Sequence, residues 1–491
     1  MGVAPFAGSE PVYNERGVIA ETYYDLQGLA VLDGIRATHP LPKASAESLC
    51  RALFQAVEFA LLNLNDVLQR AVDDLRNEAA DRAVVKLHWA RGFQRVLGGL
   101  SLLPARLNGM MEGGQARGVV RIADSPACAA YFATLQQMDL TIRSLVESGV
   151  LDPDRVIAHE SLESAQFNLF HLLRICNHET TIWESNLAEV TVPIEITSYS
   201  DFVVADGIRD CVYDRVLKGD TYFTQFRGLH QIPETLGIEA NDQCEQAILN
   251  IRARRLQRAL ERLQCVTTLM DAMVTAVPPM ADNLATSDYH DIRENLGLTS
   301  GSHSVCLHYH MFGDLYQQFS GEVIALLAGR DGRAADEDSI GKATARADSQ
   351  RSHDQESWLT HQIINEAMKM QSIIFHWRHL HLHLPRNNLG GDMTKSLTGS
   401  PEAIKAVRKM LASASQRDPM KAIAHARGLA SGRAQPSRGA LTAYLESDAS
   451  LDGMILATTG AITQRRFHDV QERLGFFAQR CPFKVPPRRT V

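Results

Sequence analysis

Four histidines, His376, His379, His381 and His383, crowd into the stretch that continues Leu384-Pro385-Arg386-Asn387-Asn388-Leu389-Gly390. So many imidazoles in so short a run point to a metal or a metallocofactor. Leu359, Ile363, Met370, Ile374, Trp377, His381 and Leu384 recur at three- to four-residue spacing, which puts His381 on the apolar face of one helix. His376, His379 and His383 fall on another face. A buried imidazole needs partners for its ring nitrogens. An axial bond to haem iron supplies one, and a backbone carbonyl in an ordinary core supplies another. A second metal arrangement uses His379 and His383, spaced i and i+4, with His376 as a third nitrogen for zinc or non-haem iron.

The elements that must position these residues are helical. Amphipathic patterns cover residues 45–75, 79–103, 127–148, 160–190, 240–276, 304–328, 356–384 and 401–427, so the fold class is mostly α. Val, Thr and Ile cluster at 190–196, an extended segment. Residues 114–125 read as a turn region, and the polar, Gly/Ala-rich run 328–354 reads as a loop or linker.

With 491 residues, 45% hydrophobic and 22% charged, the chain can build two or three domains without disulfides. A net charge of −7 and a pI near 6.2 leave no electrostatic footprint for nucleic acid. Only Lys484 to Arg489 is locally basic. Eight cysteines without a C-x-x-C pair argue against a zinc ribbon, a redox dithiol or c-type haem attachment, and fit reduced thiols in a cytoplasm. No leader pattern opens the chain and no apolar run reaches membrane-spanning length, so a cytoplasmic protein is expected.

An internal echo is visible. Tyr24-Asp25, Asp33-Gly34-Ile35-Arg36 and Phe54-Gln55 are followed by Tyr199-Ser200-Asp201, Asp206-Gly207-Ile208-Arg209 and His230-Gln231. From Asp33 to Gln55 is 22 positions and from Asp206 to Gln231 is 25. Two helical halves of related plan would produce this order.

The second half carries Tyr199-x-Asp201-Phe202, then His230-Gln231-x-x-Glu234. Asp291-Ile292-Arg293-Glu294-Asn295-Leu296 follows, running into Ser300-Gly301-Ser302-His303-Ser304, and then Trp377-Arg378-x-x-His381 with Arg386 and Leu389-Gly390. Over roughly residues 195 to 400 this order resembles the tryptophan 2,3-dioxygenase superfamily of histidine-ligated haem proteins. The resemblance implies a helical bundle, haem b and the following roles. His381 matches the proximal haem ligand, with Trp377, Arg293 and Arg386 around the cofactor. His230 matches the distal histidine, and Phe226 lines the pocket on the same helical face. Tyr199, Phe202, Gly301, His303, Thr394 and Thr398 are the expected substrate contacts, and Ser300 and His308 stand in the catalytic segment.

Two departures matter. Eight positions after Ser300 the dioxygenase has an arginine that clamps the amino-acid carboxylate, whereas this chain has His308, which cannot form that bidentate fork. Only 73 positions separate His308 from His381, an interval shorter than the dioxygenase's. Both push the comparison toward the wider haem-dependent aromatic oxygenases, including the pyrrolnitrin-pathway rearrangement enzyme. Pro233 is expected to interrupt the helix of His230. The implied organisation is a degenerate, haem-free helical half over 1–190, a haem-binding catalytic domain over 195–430, and a helical extension with a basic tail over 431–491. The implied partners are a small aromatic substrate and dioxygen or peroxide, in a homodimer or a pseudo-dimeric protomer. A haem sensor or scaffold that kept the fold and lost turnover is the non-enzymatic reading.

Overall fold

The computed structural model describes residues 13–14, 17–18, 26–111, 117–152, 165–196, 198–214, 222–296, 314–328, 337–352, 354–388, 420 and 423–424. The chain divides into two compact units, Met1–Arg427 and Gly428–Val491, and every described residue belongs to the first. The expected extension over 431–491 therefore lies outside the described residues. So do Ser300, Gly301, His303, His308, Thr394 and Thr398.

The unit is mostly α-helical. Two short strands, β1 (Tyr13–Asn14) and β2 (Gly17–Val18), pair antiparallel. Helix α1 (Leu29–Thr38) buries Leu29, Leu32 and Ile35 at three-residue spacing. It starts from Gly28 at φ 67°, where a Cβ would also lie 2.6 Å from the Cys211 sulfur, so glycine is required twice over. Helix α2 (Ala46–Arg76) opens on a reciprocal cap in which the Ser48 N–H meets the Ser45 hydroxyl and the Ser45 N–H meets that of Ser48, both at 3.0 Å. It turns at Glu78, φ 57°, into α3 (Ala80–Ser101) and α4 (Leu103–Met111).

Next come β3 (Gly118–Val120), a 3-10 turn at Ile122–Asp124, α5 (Pro126–Glu147) and α6 (Ala165–Leu187). Ser125 caps α5 ahead of Pro126, a residue suited to the first helical position. Strand β4 (Val190–Val192) pairs antiparallel with β3, so the extended segment expected near 190 is present and the turn region 114–125 supplies its partner.

The second series is α7 (Tyr199–Val203), α8 (Ala205–Tyr213), α9 (Phe223–Arg252), α10 (Leu256–Val274), α11 (Val277–Asn283), α12 (Thr286–Leu296), α13 (Asp314–Ala328), α14 (Glu337–Gln350) and α15 (Gln355–Asn388). Helix α2 packs on α3, α5 and α9; α3 packs on α6; α9 packs on α10 and α13; and α10 packs on α15. One continuous apolar core runs through all of these contacts, from Leu26 to Ile423. Where α2 crosses α9, a Cβ on Gly228 would overlap the Asn63 amide, so glycine sets how closely the two helices approach. No helix among the described residues is long and apolar enough to cross a membrane.

Three expectations need correction. The pattern over 240–276 is two helices, because the chain reverses at Arg254, φ 56°, and α9 begins much earlier, at Phe223. Most of the polar run 328–354 is not a loop: α14 forms there, burying Ile340 and Thr344 and packing Ala347 on the core. Pro233 does not interrupt its helix, since α9 runs through it. A missing interior hydrogen bond costs about 3 kcal/mol, and Leu229, Ile232 and Leu236, all fully buried around it, hold the helix in place. Of the helix expected over 401–427, only residues 420, 423 and 424 are described.

The internal echo has a different register from the one the Asp-Gly-Ile-Arg segments suggest. Those segments lie on α1 and α8, and each helix starts from a left-handed residue, Gly28 and Val204. Glu78 and Arg254 are the matching left-handed residues between α2 and α3 and between α9 and α10. A single interval of 176 residues relates 28 to 204 and 78 to 254. The same interval relates Arg51 to Arg227, Leu53 to Leu229, Gln55 to Gln231, Glu58 to Glu234, Asn65 to Asn241 and Asp66 to Asp242. The unequal spacings of 22 and 25 become one spacing of 27, from Gly28 to Gln55 and from Val204 to Gln231.

Candidate functional site

The first turns of α9 present Phe223, Phe226 and His230 on one face, all buried, behind Tyr222, whose ring stacks on Trp89 of α3 at 5.1 Å and 18°. His230 is 5% exposed, which rules out a surface role. Its Nδ1 lies 2.8 Å from the carbonyl oxygen of Phe226. A carbonyl can only accept, so Nδ1 carries the proton, and in the neutral ring Nε2 holds the lone pair. The Phe226 ring lies 4.5 Å from the imidazole, centroid to centroid, and fixes its plane.

Helix α15 buries Leu359, Ile363, Met370, Ile374, Trp377 and Leu384, the apolar stripe that the periodicity predicts. His381 is half-buried on this stripe, with its ring stacked on Trp377 one turn earlier at 5.2 Å and 24°. His376 is exposed, whereas His379 and His383 are half-buried with ring centroids 6.3 Å apart. Among the described residues no three His, Cys, Asp or Glu side chains gather in a way that could hold a metal ion. Arg386 lies near the end of α15, and Arg293 lies on α12, which packs against α15; neither side chain is among those described.

Contacts to α10 set the levels of these two groups. Arg254 meets Glu356 at 3.6 Å and Thr267 donates to Glu366 at 2.7 Å, so α10 and α15 run parallel. Arg262 donates to Gln243 at 2.8 Å, so α9 runs antiparallel to both. Counting back along α9 from Gln243 puts His230 level with Thr275. Counting on along α15 from Glu356 or Glu366 puts Trp377 between the levels of Thr275 and residue 278. At about 1.5 Å per residue, His230 and Trp377 lie within about one turn of each other along the bundle axis, with His381 one turn further on. Helix α11 packs against both α9 and α15 at this end. By this count Phe226, His230, Trp377 and His381 fall at similar levels along the second helical series, on α9 and α15, which each pack against α10.

Tyr199 and Phe202 are not part of that group. Tyr199 donates to Glu58 Oε2 of α2 at 3.0 Å and meets Phe54 edge-on at 6.0 Å. Phe202 lies under the Arg51 guanidinium at 5.7 Å, and its carbonyl accepts from Arg51 Nε at 2.9 Å. Both serve α2 rather than α9. Burial pushes the Glu58 carboxyl up, against the opposing pull of the Ser125 and Tyr199 hydroxyls, and holds the Tyr199 phenol far above its ordinary range.

Two neighbours of His230 to which sequence reasoning assigned no role anchor α9. Arg227 is fully buried and donates to the carbonyls of Cys211 and Val212 and to Asp214, at 3.2, 3.3 and 2.8 Å. Gln231 donates to the carbonyls of Gln27 and Cys211, both at 3.0 Å. The signal for both was the repeated Arg-x-Leu-x-Gln-x-x-Glu, visible once the 176-residue interval is applied. No protein-family model matches the chain, and no curated protein matches it.

Proposed function

We propose that this chain is a haem-dependent oxygenase of the tryptophan 2,3-dioxygenase superfamily, acting on an indole or another electron-rich aromatic, with one haem b per chain in the second half of a duplicated helical bundle. The observation that carries the reading is that Phe226 and His230 on α9 and Trp377 and His381 on α15 fall at similar levels on two helices that both pack against α10. The residues present fit the cofactor. A half-buried imidazole with its plane set by a stacked indole would suit a ligand to the iron, and Phe226 would offer a flat apolar wall. His381 would hold the iron, and Trp377, Arg293 and Arg386 would surround the macrocycle. When bound, haem supplies activation of dioxygen or peroxide.

The chain's own share is positional. His230, its ring held against Phe226, is the residue that would meet a substrate ring N–H. The rings of Phe223 and Phe226 exclude water beside it. His308 in place of the superfamily's arginine favours a substrate without an amino-acid carboxylate over tryptophan itself.

Two features support a single haem. Phe54 stands in α2 where His230 stands in α9. The helix that would carry a second axial ligand also stops short. Arg91 and Thr267, 176 residues apart, lie beside Glu179 of α6 and Glu366 of α15. Eight residues past Glu179, α6 ends at Leu187 and the chain turns into β4, whereas α15 continues fourteen residues beyond the matching Ile374. Trp377 and His381 lie on that extra length. The pseudo-dimeric protomer is supported by a reciprocal lock, in which Gln55 donates to the Val203 carbonyl at 3.1 Å and Gln231 to that of Gln27. Among the described residues six buried thiols are free, which accords with a cytoplasmic setting.

An absorption spectrum of the purified chain with and without added haem tests the proposal. A Soret band at one haem per chain, shifted by indoles, is expected. No band after haem supplementation defeats the reading, and ligand-induced shifts without product under oxygen would make the chain a sensor.

A further inference from the structure

The start of α9 is held differently from the start of α2, its counterpart in the first half. Helix α2 is capped by its own Ser45 and Ser48, hydroxyl to N–H in both directions at 3.0 Å. At Tyr222, which opens α9, no side chain among the described residues caps the helix. The first N–H groups of a helix have no partner within it, so an uncapped first turn needs other support. Here the support comes from the side, and from the first half. The Trp89 indole of α3 stacks on the Tyr222 ring at 5.1 Å and 18°, and Asp66 of α2 accepts from Gln225 at 2.5 Å.

From Trp89 a continuous line of contacts leads to the candidate histidine. The Tyr222 carbonyl accepts from the Phe226 N–H at 2.9 Å. The Phe226 carbonyl lies 2.8 Å from His230 Nδ1, and the Phe226 ring lies 4.5 Å from the imidazole. Tyr222, Phe226 and His230 are four residues apart and so follow one another along one face of α9. The 176-residue interval shows that the other half has no copy of this line. Cys265 stands for Trp89, Ala46 for Tyr222, Cys50 for Phe226 and Phe54 for His230. The aromatic brace is present where the line ends on a histidine, and the serine cap where it ends on a phenylalanine. The Trp89 Nε1–H is sealed from solvent and meets no partner among the described residues, so the indole acts through its face.

We propose that Trp89 is a positioning residue of the second-half site: its ring fixes the first turn of α9 and, through Tyr222 and Phe226, the plane of the His230 imidazole. The consequence for turnover rests on the role proposed above for His230, whereas the orientation itself requires no cofactor. The first half, which lacks a histidine at Phe54, thereby takes part in the site of the second.

NMR of the full chain without haem, carrying isotopically labelled histidine, tests this, with the His230 ring signals assigned by their loss in His230→Phe. Trp89→Leu should shift these signals. Trp89→Phe, which keeps a stacking ring and gives up only an unused N–H, should leave them native. Leu87→Ala, equally buried on another face of α3, is the control for general loosening and should also leave them native. With haem bound, Trp89→Leu should retain the cofactor and lower kcat by about tenfold to a hundredfold, and Trp89→Phe should stay within about twofold of the native rate. Tyr222→Leu breaks the same link from the other side and should reproduce Trp89→Leu, so the test survives if either variant fails to fold. His230 signals that stay native in Trp89→Leu or Tyr222→Leu, or that move as far in Leu87→Ala, overturn the proposal. Failure to bind haem would defeat the oxygenase reading alone, because the NMR arm needs no cofactor.

Discussion

Phe54 and His230 each stand one residue ahead of a glutamine that reaches across to the opposite half: Gln55 to the Val203 carbonyl at 3.1 Å, Gln231 to that of Gln27 at 3.0 Å. The bundle accepts a phenylalanine at one of these positions, so His230→Phe should fold normally and keep haem. Loss of the imidazole should lower turnover by about 10²–10⁴-fold. Haem content and steady-state rates measure this, and undiminished turnover would exclude His230 as the substrate's partner.

Trp377 and His381 should separate stability from cofactor binding. His381→Ala truncates a half-buried ring and should abolish haem retention with little change in the apoprotein. Trp377→Ala empties a site only 4% exposed and should cost about 3–5 kcal/mol. Denaturant titration of the apoprotein and the Soret absorbance after gel filtration report the two effects.

Gln231→Leu should destabilise the chain by about 1–2 kcal/mol, since it removes two buried bonds, to the Gln27 and Cys211 carbonyls, and leaves these only the Cys211 thiol and Arg227. Gln55→Leu removes one such bond and should cost less. A shift in the denaturation midpoint at unchanged slope is the expected signature.

Glu239 predicts a pH effect. Burial pushes its carboxyl up to about 7 from 4.5; Asp242 raises it further, and Gln243, Ser48 and Arg36 oppose the shift. The folded chain therefore keeps a proton that the unfolded chain releases between these values. Stability is fullest below about 4.5 and falls as pH rises toward 7, by on the order of 3 kcal/mol from this group. Glu239→Gln should flatten the stability profile across that window, and an unchanged slope would show that Glu239 titrates normally.

The thiols of Cys50, Cys128, Cys176 and Cys211 are pushed up to about 12, chiefly by burial, and Cys244 and Cys265 are raised as well. Thiolate is the reactive form. Mass spectrometry after brief alkylation of the native chain should find all six unmodified, and unfolding should expose them.

What the sequence by itself determined is the set of long helices and the apolar face of α15. Burying one side of a helix imposes a period near 3.6 that any reader of the chain can count. It put Trp377 and His381 on one stripe, while the order of short motifs suggested that Phe54-Gln55 and His230-Gln231 correspond. Tertiary structure alone decided the rest. The reversal at Arg254 is a backbone conformation with no strong residue signature. Helix α14 exists because Ile340 and Thr344 find a core to enter. Tyr199 belongs to Phe54 rather than to His230 because the segment before each long helix packs on the helix of the other half. No local pattern records which surfaces meet.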